Sequence, residues 1–433
     1  MKKAVFVGVW RKLKELQPDF VLYSTFSSDL GMYVKFDKWL KERMKVVSVI
    51  GGPAVTFGYG DLKNSTIDGL CVGEGEKAIV DFINYGITDK NIFPSGKEPS
   101  GDYYPLFELD SLPFPDRSLV YSTDILLRNA PTKQFFSGRG CPYNCSYCFN
   151  HKFHELFKSC GPMIRKKSVD YLIEEITLVR RTYPLKNVTF NDDTFILNRK
   201  WFLEFCSRFP KEIGLPYTCN VRANLVDDDI ARGLKESNCQ TVNWSIEAGN
   251  EHMRNNVIHR NMSDQQILQC ADYLHKYNIS FRIGNLIGLP GESLEMMDET
   301  VNINIKATPY LGLANIFVPF PGLQLTEYAK KIGCYQELSQ ENLPRNYFTR
   351  SVLNYTLQEK RQIYKLMCLF PVFVNFPWLY RKTGVRAQLF KLPRILLRSC
   401  YEMISTYKMA RMYTVNTPFW LKILIAIRYI SNL

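Results

Sequence analysis

The stretch GRGCPYNCSYCFN spans residues 138–150 and combines cysteines with glycine, proline and aromatic residues. Its three cysteines fall within eight positions: Cys141, Cys145 and Cys148. A structural zinc site requires four ligands, so a zinc ion here would need His151 or His154 as the fourth. A 4Fe–4S cluster held by three thiolates instead leaves one iron open for chemistry. The stretch therefore predicts an iron–sulfur site, with a zinc site as the alternative.

Composition limits the classes of protein to consider. The chain has 433 residues, with 46% hydrophobic and 22% charged residues, which is ordinary for a globular protein. Most of its 12 cysteines stand singly in apolar stretches, and the N-terminal apolar run is too short for a signal peptide. We therefore expect a reducing, cytoplasmic location. The net charge of +13 is spread along the chain without a basic block, so we expect no nucleic-acid partner.

Residues 18–95 alternate strand-like and helix-like segments, beginning with PDFVLYS. This alternation predicts a partial doubly wound, Rossmann-like domain with a parallel sheet, with bounds at residues 1–95. Ligands of such domains lie beyond the carboxyl ends of the strands. Five residues are predicted at that edge: Ser24, Ser27, Gly51, Gly52 and Gly73.

Residues 96–128 are rich in proline, glycine and serine and predict a linker. Residues 129–335 predict a partial (β/α)6 barrel of the TIM type, with helices near 168–183, 263–278 and 292–306. Its six predicted strands are Lys133–Ser137, Asn187–Phe190, Tyr217–Val221, Thr241–Ile246, Ser280–Ile287 and Asn315–Pro319.

Residues 336–433 are aromatic, apolar and basic, and they predict a helical region. No uncharged run reaches the roughly 18 residues that span a bilayer. The helices could pack on the barrel or form an amphipathic surface in peripheral contact with a membrane. Both alternatives remain open from the sequence.

Polar residues follow the predicted barrel strands where each strand ends, which is where barrel enzymes carry their reactive groups. Asp192 could contact a ligand or cap the next helix, and Arg222 could bind a carboxylate ligand or an acidic neighbour. Glu247 ends an apolar strand, where a diol such as ribose would satisfy its carboxylate. The glycines of GLPGE, residues 288–292, either form a tight turn or admit a flat adenine.

The motifs GRGCPYNCSYC, FNDDTF, SIEAGN and IGLPGE resemble the core of radical S-adenosylmethionine (SAM) enzymes of the cobalamin-binding-domain class. The segments PDFVLYS, VIGGPAVT and GLCVGEGEKAIVDF resemble the second half of the preceding cobalamin-binding domain, so the resemblance covers residues 18–335. It implies that the three cysteines bind the cluster. It assigns SAM to Tyr147, Asp192, Arg222, Glu247, Gly288 and Leu289, and cobalamin to the five edge residues named above.

The resemblance implies reductive cleavage of SAM to a 5′-deoxyadenosyl radical, for cobalamin-dependent methylation of an unactivated carbon. The chain lacks the D-x-H-x-x-G motif and a first strand–helix unit, so the cobalamin domain is expected to be truncated. A cobalamin-independent cyclase or rearrangement enzyme is one alternative, and a zinc-binding scaffold is the other. Expected partners are a small-molecule or lipid-like substrate and an electron donor such as flavodoxin or ferredoxin.

Overall fold

The computed structural model describes residues 2–26, 29–58, 62, 64–87, 89–336, 338 and 350–413. The chain divides into two compact units, each built from three separate segments. The first unit comprises Met1–Leu106, Tyr147–Met163 and Val318–Tyr347, and the second comprises Phe107–Ser146, Ile164–Phe317 and Phe348–Leu433. The domain boundaries predicted from the sequence stay a prediction.

The strands of the described residues are β1 (Phe20–Ser24), β2 (Val47–Gly51), β3 (Gly69–Cys71), β4 (Ile92–Pro94), β5 (Thr132–Phe135), β6 (Gly138–Arg139), β7 (Arg165–Lys166), β8 (Asn187–Phe190), β9 (Tyr217–Asn220), β10 (Cys239–Glu247), β11 (Ser280–Ile287) and β12 (Leu311–Ile316).

The helices up to the end of the barrel are α1 (Lys2–Leu16), α2 (Leu30–Lys41), α3 (Pro53–Gly58), α4 (Glu76–Tyr85), α5 (Ser118–Tyr121), α6 (Ile125–Asn129), α7 (Phe149–Phe157), α8 (Val169–Thr182), α9 (Arg199–Glu212), α10 (Asp228–Glu236), α11 (Asp264–Lys276), α12 (Leu294–Ala307) and α13 (Gln324–Lys331). The helices after it are α14 (Leu357–Asn375), α15 (Pro377–Arg381), α16 (Thr383–Leu389) and α17 (Arg394–Tyr413).

The first unit is a small α/β sandwich around the sheet β1-β2-β3-β4, in which β1, β2 and β3 are parallel. Alternate residues face opposite sides of the sheet. Tyr23 and Ile50 pack under α2 and α3 on one face, while Val49 and Cys71 pack under α4 on the other. Helices on both faces confirm the doubly wound prediction. The antiparallel edge strand β4 was not predicted.

The second unit is built on a six-stranded sheet in the order β12-β11-β10-β9-β8-β5. All its pairings are parallel, so every strand ends at the same edge. This open sheet with helices between strands confirms the predicted partial barrel.

The last barrel strand lies earlier in the chain than predicted, at Leu311–Ile316 instead of Asn315–Pro319. Gly312 interrupts the apolar pattern on which the prediction relied. In the structure this glycine makes room for α14, because an added Cβ would lie 3.1 Å from Val374.

Local sequence signals account for the helices between these strands. Ser263 caps α11, and its side chain and that of Gln266 form a reciprocal capping box. Three further helices have a single capping side chain that accepts a hydrogen bond from a first-turn amide: Ser168 caps α8, Asn198 caps α9 and Ser293 caps α12. The predicted helices α8, α11 and α12 are therefore confirmed within two residues at each end.

Helices α14 to α17 follow the barrel in the second unit, as predicted for the C-terminal region. Ile363, Met367 and Phe370 of α14 share a core with Ala314 and Ile316 of β12. None of the helices in the described residues is long and apolar enough to cross a bilayer. Residues 414–433, also predicted helical, lie outside the described residues.

The second unit has an aromatic core between α9 and its sheet. The Phe205 side chain is fully buried, and its ring centroid lies 4.6 Å from that of Phe209 and 5.1 Å from that of Phe195. Replacing Phe205 by alanine removes these contacts and leaves a cavity.

We expect Phe205→Ala to lower the free energy of unfolding by about 3–5 kcal/mol, measured by urea denaturation. Leu203→Ala is the matched control on the same helix, because the Leu203 side chain is 47% exposed. A similar loss in both variants would contradict this assignment of the core.

Candidate radical SAM site

The cysteine stretch begins at the carboxyl edge of the six-stranded sheet. Cys141 and Cys145 follow β5 and β6 in the second unit, and β6 pairs antiparallel with β7, which comes later in the chain. Gly138 lies in β6, and an added Cβ would approach the Arg165 carbonyl oxygen to 2.8 Å. Glycine therefore allows the close pairing of β6 with β7.

Asp192 holds the point where the chain leaves β5. One of its oxygens accepts a 2.9 Å hydrogen bond from the Ser137 amide, and the other accepts from the Ser137 hydroxyl at 2.6 Å. The Lys166 ammonium lies 3.1 Å from the same carboxylate, which is 4% exposed. Burial lowers the pKa of Lys166, and Asp192 opposes that effect. Asp192 does not cap the next helix, since Asn198 does, and its role as a SAM ligand stays a prediction.

Two arginines flank the Cys145 sulfur. Nη1 of Arg222 lies 3.8 Å and Nη1 of Arg260 lies 3.9 Å from Cys145 Sγ. N–H donors beside a sulfur orient it and compensate the negative charge that a metal-bound cysteine carries. Burial raises the pKa of the nearby Cys141 thiol, while the Tyr143 amide and Arg222 act in the opposite direction.

Arg222 is 3% exposed, and all three nitrogens of its guanidinium group make contacts within this site. Its plane lies over the Tyr143 ring, with 3.7 Å between Cζ and the ring centroid. Nε donates to the Asn224 side chain at 2.8 Å, and Nη2 donates to the Arg260 carbonyl oxygen. The structure thus brings the predicted Arg222 to the cysteine loop rather than to an acidic neighbour.

Tyr147 and Cys148 belong to the first unit, at the start of its second segment. Cys148 is the N-cap residue of α7. The Asn150 side-chain amide donates to Cys148 Sγ at 3.6 Å. An N–H donor at this sulfur supports a metal-binding thiolate.

The segment after β10 secures the cysteine loop in the second unit. The Ser146 hydroxyl donates to the Val257 carbonyl oxygen at 2.8 Å, and the Ser146 amide donates to that of Ile258. Residues Met253–Val257 form a π-helix, a wider turn that is common at functional sites.

Arg254 organises this segment from inside the protein, since its side chain is fully buried. Its guanidinium donates to the carbonyl oxygens of Met262, Ala248 and Gly249 at 2.8–3.1 Å. It also pairs with Asp264 at 2.5 Å. The buried charge is therefore fully hydrogen-bonded, as such groups require.

Glu247 ends β10 with a left-handed backbone, at φ +70°. Positive φ is uncommon outside glycine and marks functional strain when the surroundings hold it. A register shift between Ser245 and Glu247 accompanies this conformation. Gly249 then packs on α12, where an added Cβ would lie 2.3 Å from the Thr300 nitrogen.

The GLPGE loop after β11 is tied by Glu292 and Tyr355. Gly288 takes φ +70°, and the Leu289 amide donates to Glu292 Oε2 at 3.0 Å. The Tyr355 hydroxyl donates to the Leu289 carbonyl oxygen at 2.6 Å. Burial raises the pKa of Glu292 to about 8, although the amides of Leu289 and Gly288 oppose the shift. The assignment of Gly288 and Leu289 to SAM stays a prediction.

In the first unit, the predicted cobalamin-binding edge is closely packed. An added Cβ on Gly73 would lie 2.3 Å from the Phe157 ring, and one on Gly52 would lie 2.7 Å from the Thr25 oxygen. Packing inside the protein thus explains both glycines without a ligand. Ser24 and Gly51 pair at the ends of β1 and β2, and Ser27 lies outside the described residues.

The inner face of the six-stranded sheet is largely polar. Asn243 pairs in register with Asn220 and Arg282, and its side-chain amide donates to that of Asn220 at 3.2 Å. Arg282 is partly buried on this face, and no described residue forms an ion pair or hydrogen bond with its side chain.

The three thiolates suit a 4Fe–4S cluster better than a single ion. Among the described residues, no three histidine, cysteine, aspartate or glutamate side chains are grouped to hold one metal ion. In a zinc site the sulfur ligands lie roughly 4 Å apart. A cluster instead spreads its thiolates over different irons, and N–H donors to the sulfurs tune it. The chemistry of this donor set fits the cluster.

The model of the radical SAM superfamily matches residues 135–303, which include the three cysteines and four complete barrel strands, β8 to β11. The chain therefore contains a radical SAM domain. Such domains use a 4Fe–4S cluster and SAM, so the two cofactors that the resemblance implies are confirmed at the level of this domain.

Two curated relatives extend the match beyond the radical SAM domain. An uncharacterised methyltransferase of Pyrococcus horikoshii is 28% identical over 339 residues, covering 75% of this chain and 72% of the relative. The anaerobic magnesium-protoporphyrin IX monomethyl ester cyclase of Cereibacter sphaeroides is 24% identical over 407 residues. That match covers 87% of this chain but only 63% of the cyclase.

Solved structures share the fold at low sequence identity. The cobalamin-dependent radical enzyme OxsB has a TM-score of 0.67 at 12% identity, covering 97% of this chain and 68% of OxsB. The radical SAM methyltransferase TsrM from Kitasatospora setae has a TM-score of 0.61 at 15% identity, covering 76% and 68%. Both support the fold predicted from the sequence.

The roles of several residues of the radical SAM domain were not predicted from the sequence. Arg254 and Arg260 bind backbone carbonyl oxygens, which leave no mark in a sequence. Only their position soon after SIEAGN could have suggested a role. Glu292 was quoted in GLPGE, but its burial depends on Tyr355, more than sixty residues away.

Replacing Glu292 by glutamine tests the buried carboxyl. The folded pKa of about 8 lies above the ordinary 4.5, so the folded protein binds an extra proton between these values. Its stability therefore falls as the pH rises through this window. We expect Glu292→Gln to remove this dependence of the free energy of unfolding on pH. Relative to wild type, the variant should gain on the order of 4 kcal/mol in the free energy of unfolding between pH 5 and pH 8.

Urea denaturation at several pH values measures the effect, with the exposed Glu236→Gln as control. If the free energy of unfolding changed equally with pH in wild type and in Glu292→Gln, Glu292 would not be the titrating group.

Proposed function

We propose that this radical SAM enzyme methylates an unactivated carbon with cobalamin as a further cofactor. The observation that carries the proposal is the pairing of two parts in one chain. A cysteine loop follows the first strand of a parallel barrel sheet, and an α/β unit with three parallel strands precedes that sheet in the chain. The names of the relatives support it, since one is called a methyltransferase. The fold likeness to a cobalamin-dependent radical enzyme covers 97% of the chain.

We assign the cluster to Cys141, Cys145 and Cys148. When bound, the cluster supplies the electron that cleaves SAM and yields the 5′-deoxyadenosyl radical. Arg222 and Arg260 stabilise the Cys145 thiolate and keep it oriented. Their multiple hydrogen bonds hold this geometry before any ligand arrives, which is the preorganisation that catalysis needs.

The remaining SAM contacts are assigned to the strand ends. Glu247 offers a carboxylate to the ribose hydroxyls, and its strained backbone turns it out of the strand direction. Gly288 and Leu289 offer backbone to the adenine, and Glu292 and Tyr355 fix the shape of their loop. Asp192 and Tyr147 complete the proposed set, Asp192 acting through Ser137.

Cobalamin is assigned to the carboxyl edge of the first unit, at Ser24, Ser27, Gly51, Gly52 and Gly73. It would supply the methyl group. A specific observation favours a second candidate, a cobalamin-independent radical cyclase or rearrangement enzyme. The fully buried Phe157 ring packs where a side chain on Gly73 would lie, so this part of the edge is already filled by protein.

The inner face of the barrel sheet indicates the chemical class of the substrate. Its amides and the Arg282 guanidinium favour a substrate with hydrogen-bonding or anionic groups over a purely apolar one. We place the reaction in the cytoplasm with a flavodoxin or ferredoxin as electron donor, since all 12 cysteines are free.

Replacing Cys145 by alanine tests the cluster assignment. We expect Cys145→Ala, reconstituted anaerobically, to lose bound iron and to release 5′-deoxyadenosine more than about 100-fold more slowly. Cys400→Ala is the control, because Cys400 is exposed and lies in α17. Unchanged cleavage of SAM in Cys145→Ala, or stoichiometric zinc without iron in the wild type, would reject the enzyme proposed here.

Cobalamin binding separates the two candidate reactions. We expect aquacobalamin added anaerobically to remain with the protein through gel filtration, at about one per chain. With SAM and reductant, methyl transfer releases both 5′-deoxyadenosine and S-adenosylhomocysteine. No retained cobalamin together with 5′-deoxyadenosine alone would favour the cobalamin-independent enzyme.

A further inference from the structure

The outer face of α17 is apolar, although it is exposed. The buried side of this helix carries Leu397 and Tyr401, which are 1% and 3% exposed and join the core around α14. A surface helix normally carries charged residues opposite such a stripe. Here the opposite side carries Leu396, Met403 and Tyr407, which are 52%, 66% and 57% exposed.

These residues share one face because their spacing of seven and four follows the helical repeat. Ile395 precedes them and is 75% exposed. The charged residues beside this face have partners within the protein. Arg398 pairs with Glu402, and the Lys408 ammonium donates to the Tyr310 carbonyl oxygen at 2.6 Å. Between Leu396 and Tyr407, which span three turns, the sequence has no charged residue besides the pair Arg398 and Glu402, and the exposed Ser399 and Cys400 lie among the apolar side chains.

Cations stand at both ends of this face. Lys391 and Arg394 lie at its beginning and Arg411 lies near its end, all three exposed. None of the three forms an ion pair within the part of the chain that the structure describes. Residues 376–413 contain eight lysines and arginines but a single acidic residue, Glu402.

The start of α17 adds a second reason to expect an anion there. No acidic residue lies in the first turn, which instead begins with Arg394. A helix N-terminus carries partial positive charge, so a cation at this position is unfavourable unless an anion is near. Lys391, Arg394 and the positive end of the helix together suit a phosphate group.

We propose that the outer face of α17 binds the surface of an anionic lipid bilayer. Leu396, Met403 and Tyr407 enter the boundary between headgroups and acyl chains, with the helix lying parallel to the surface. Lys391, Arg394 and Arg411 contact lipid phosphates at the two ends. Lipid fits better than an acidic protein, because long apolar side chains between basic ends match the layered polarity of a bilayer.

Vesicle flotation with the full chain tests this binding without any substrate. We expect at least tenfold more protein on vesicles containing phosphatidylglycerol at about one lipid in three than on pure phosphatidylcholine. Raising the salt from about 0.1 to 0.5 M should weaken the binding, because the charges are exposed. Equal binding to both vesicles, or none to either, would overturn the proposal.

Two sets of variants locate the surface. Leu396→Glu with Met403→Glu should reduce binding to the anionic vesicles at least tenfold, and Leu203→Glu on the exposed side of α9 should not. Lys391→Gln with Arg394→Gln should reduce it about thirtyfold, whereas the exposed pair Lys200→Gln with Lys235→Gln should leave it unchanged.

Thermal melting confirms that each variant is folded before flotation. Variants that bind like the wild type would refute the proposal, as would controls that lose binding equally. Binding of a flavodoxin at this face, with no binding of vesicles, would identify a protein-docking surface instead. Vesicle binding requires neither cluster nor SAM, so its failure leaves the proposed reaction untouched.

Discussion

The carboxylate of Asp192 fixes where the chain leaves the first barrel strand. Both of its oxygens accept hydrogen bonds from Ser137, and Lys166 compensates its buried charge. The short strand β6 and the cysteine loop begin directly after this point. The position of the first two thiols relative to the sheet therefore depends on one buried polar network, which tolerates no unpaired partner.

Electrostatics around Cys145 follows from the same arrangement. Two guanidinium groups within 4 Å of its sulfur bring positive charge to a site where several thiolates collect negative charge. Such charge and N–H donation stabilise the reduced form of an iron–sulfur cluster. Backbone carbonyl oxygens accept from both Arg222 and Arg260, so the arrangement depends on the fold as well as on the Asn224 and Tyr143 side chains.

Strand ends and capping residues made much of this protein predictable from its sequence. Parallel strands between amphipathic helices are short apolar runs, and five of the six barrel strands were predicted within two residues at each end. The sixth was displaced because Gly312 serves a contact with α14, which lies some sixty residues further along the chain. Arg254 and Arg260 were missed for a related reason, since their partners are main-chain atoms that every residue possesses.

The π-helix at Met253–Val257 has a consequence for how this region can change. A π-turn corresponds to one residue inserted into an ordinary helix, so deleting a residue there would restore the tighter α-helical repeat. Everything downstream would then rotate by roughly 100° about the helix axis, carrying Arg260 away from Cys145. Homologous chains should therefore keep the length of this segment constant, with Arg254 retained as its buried hydrogen-bond donor.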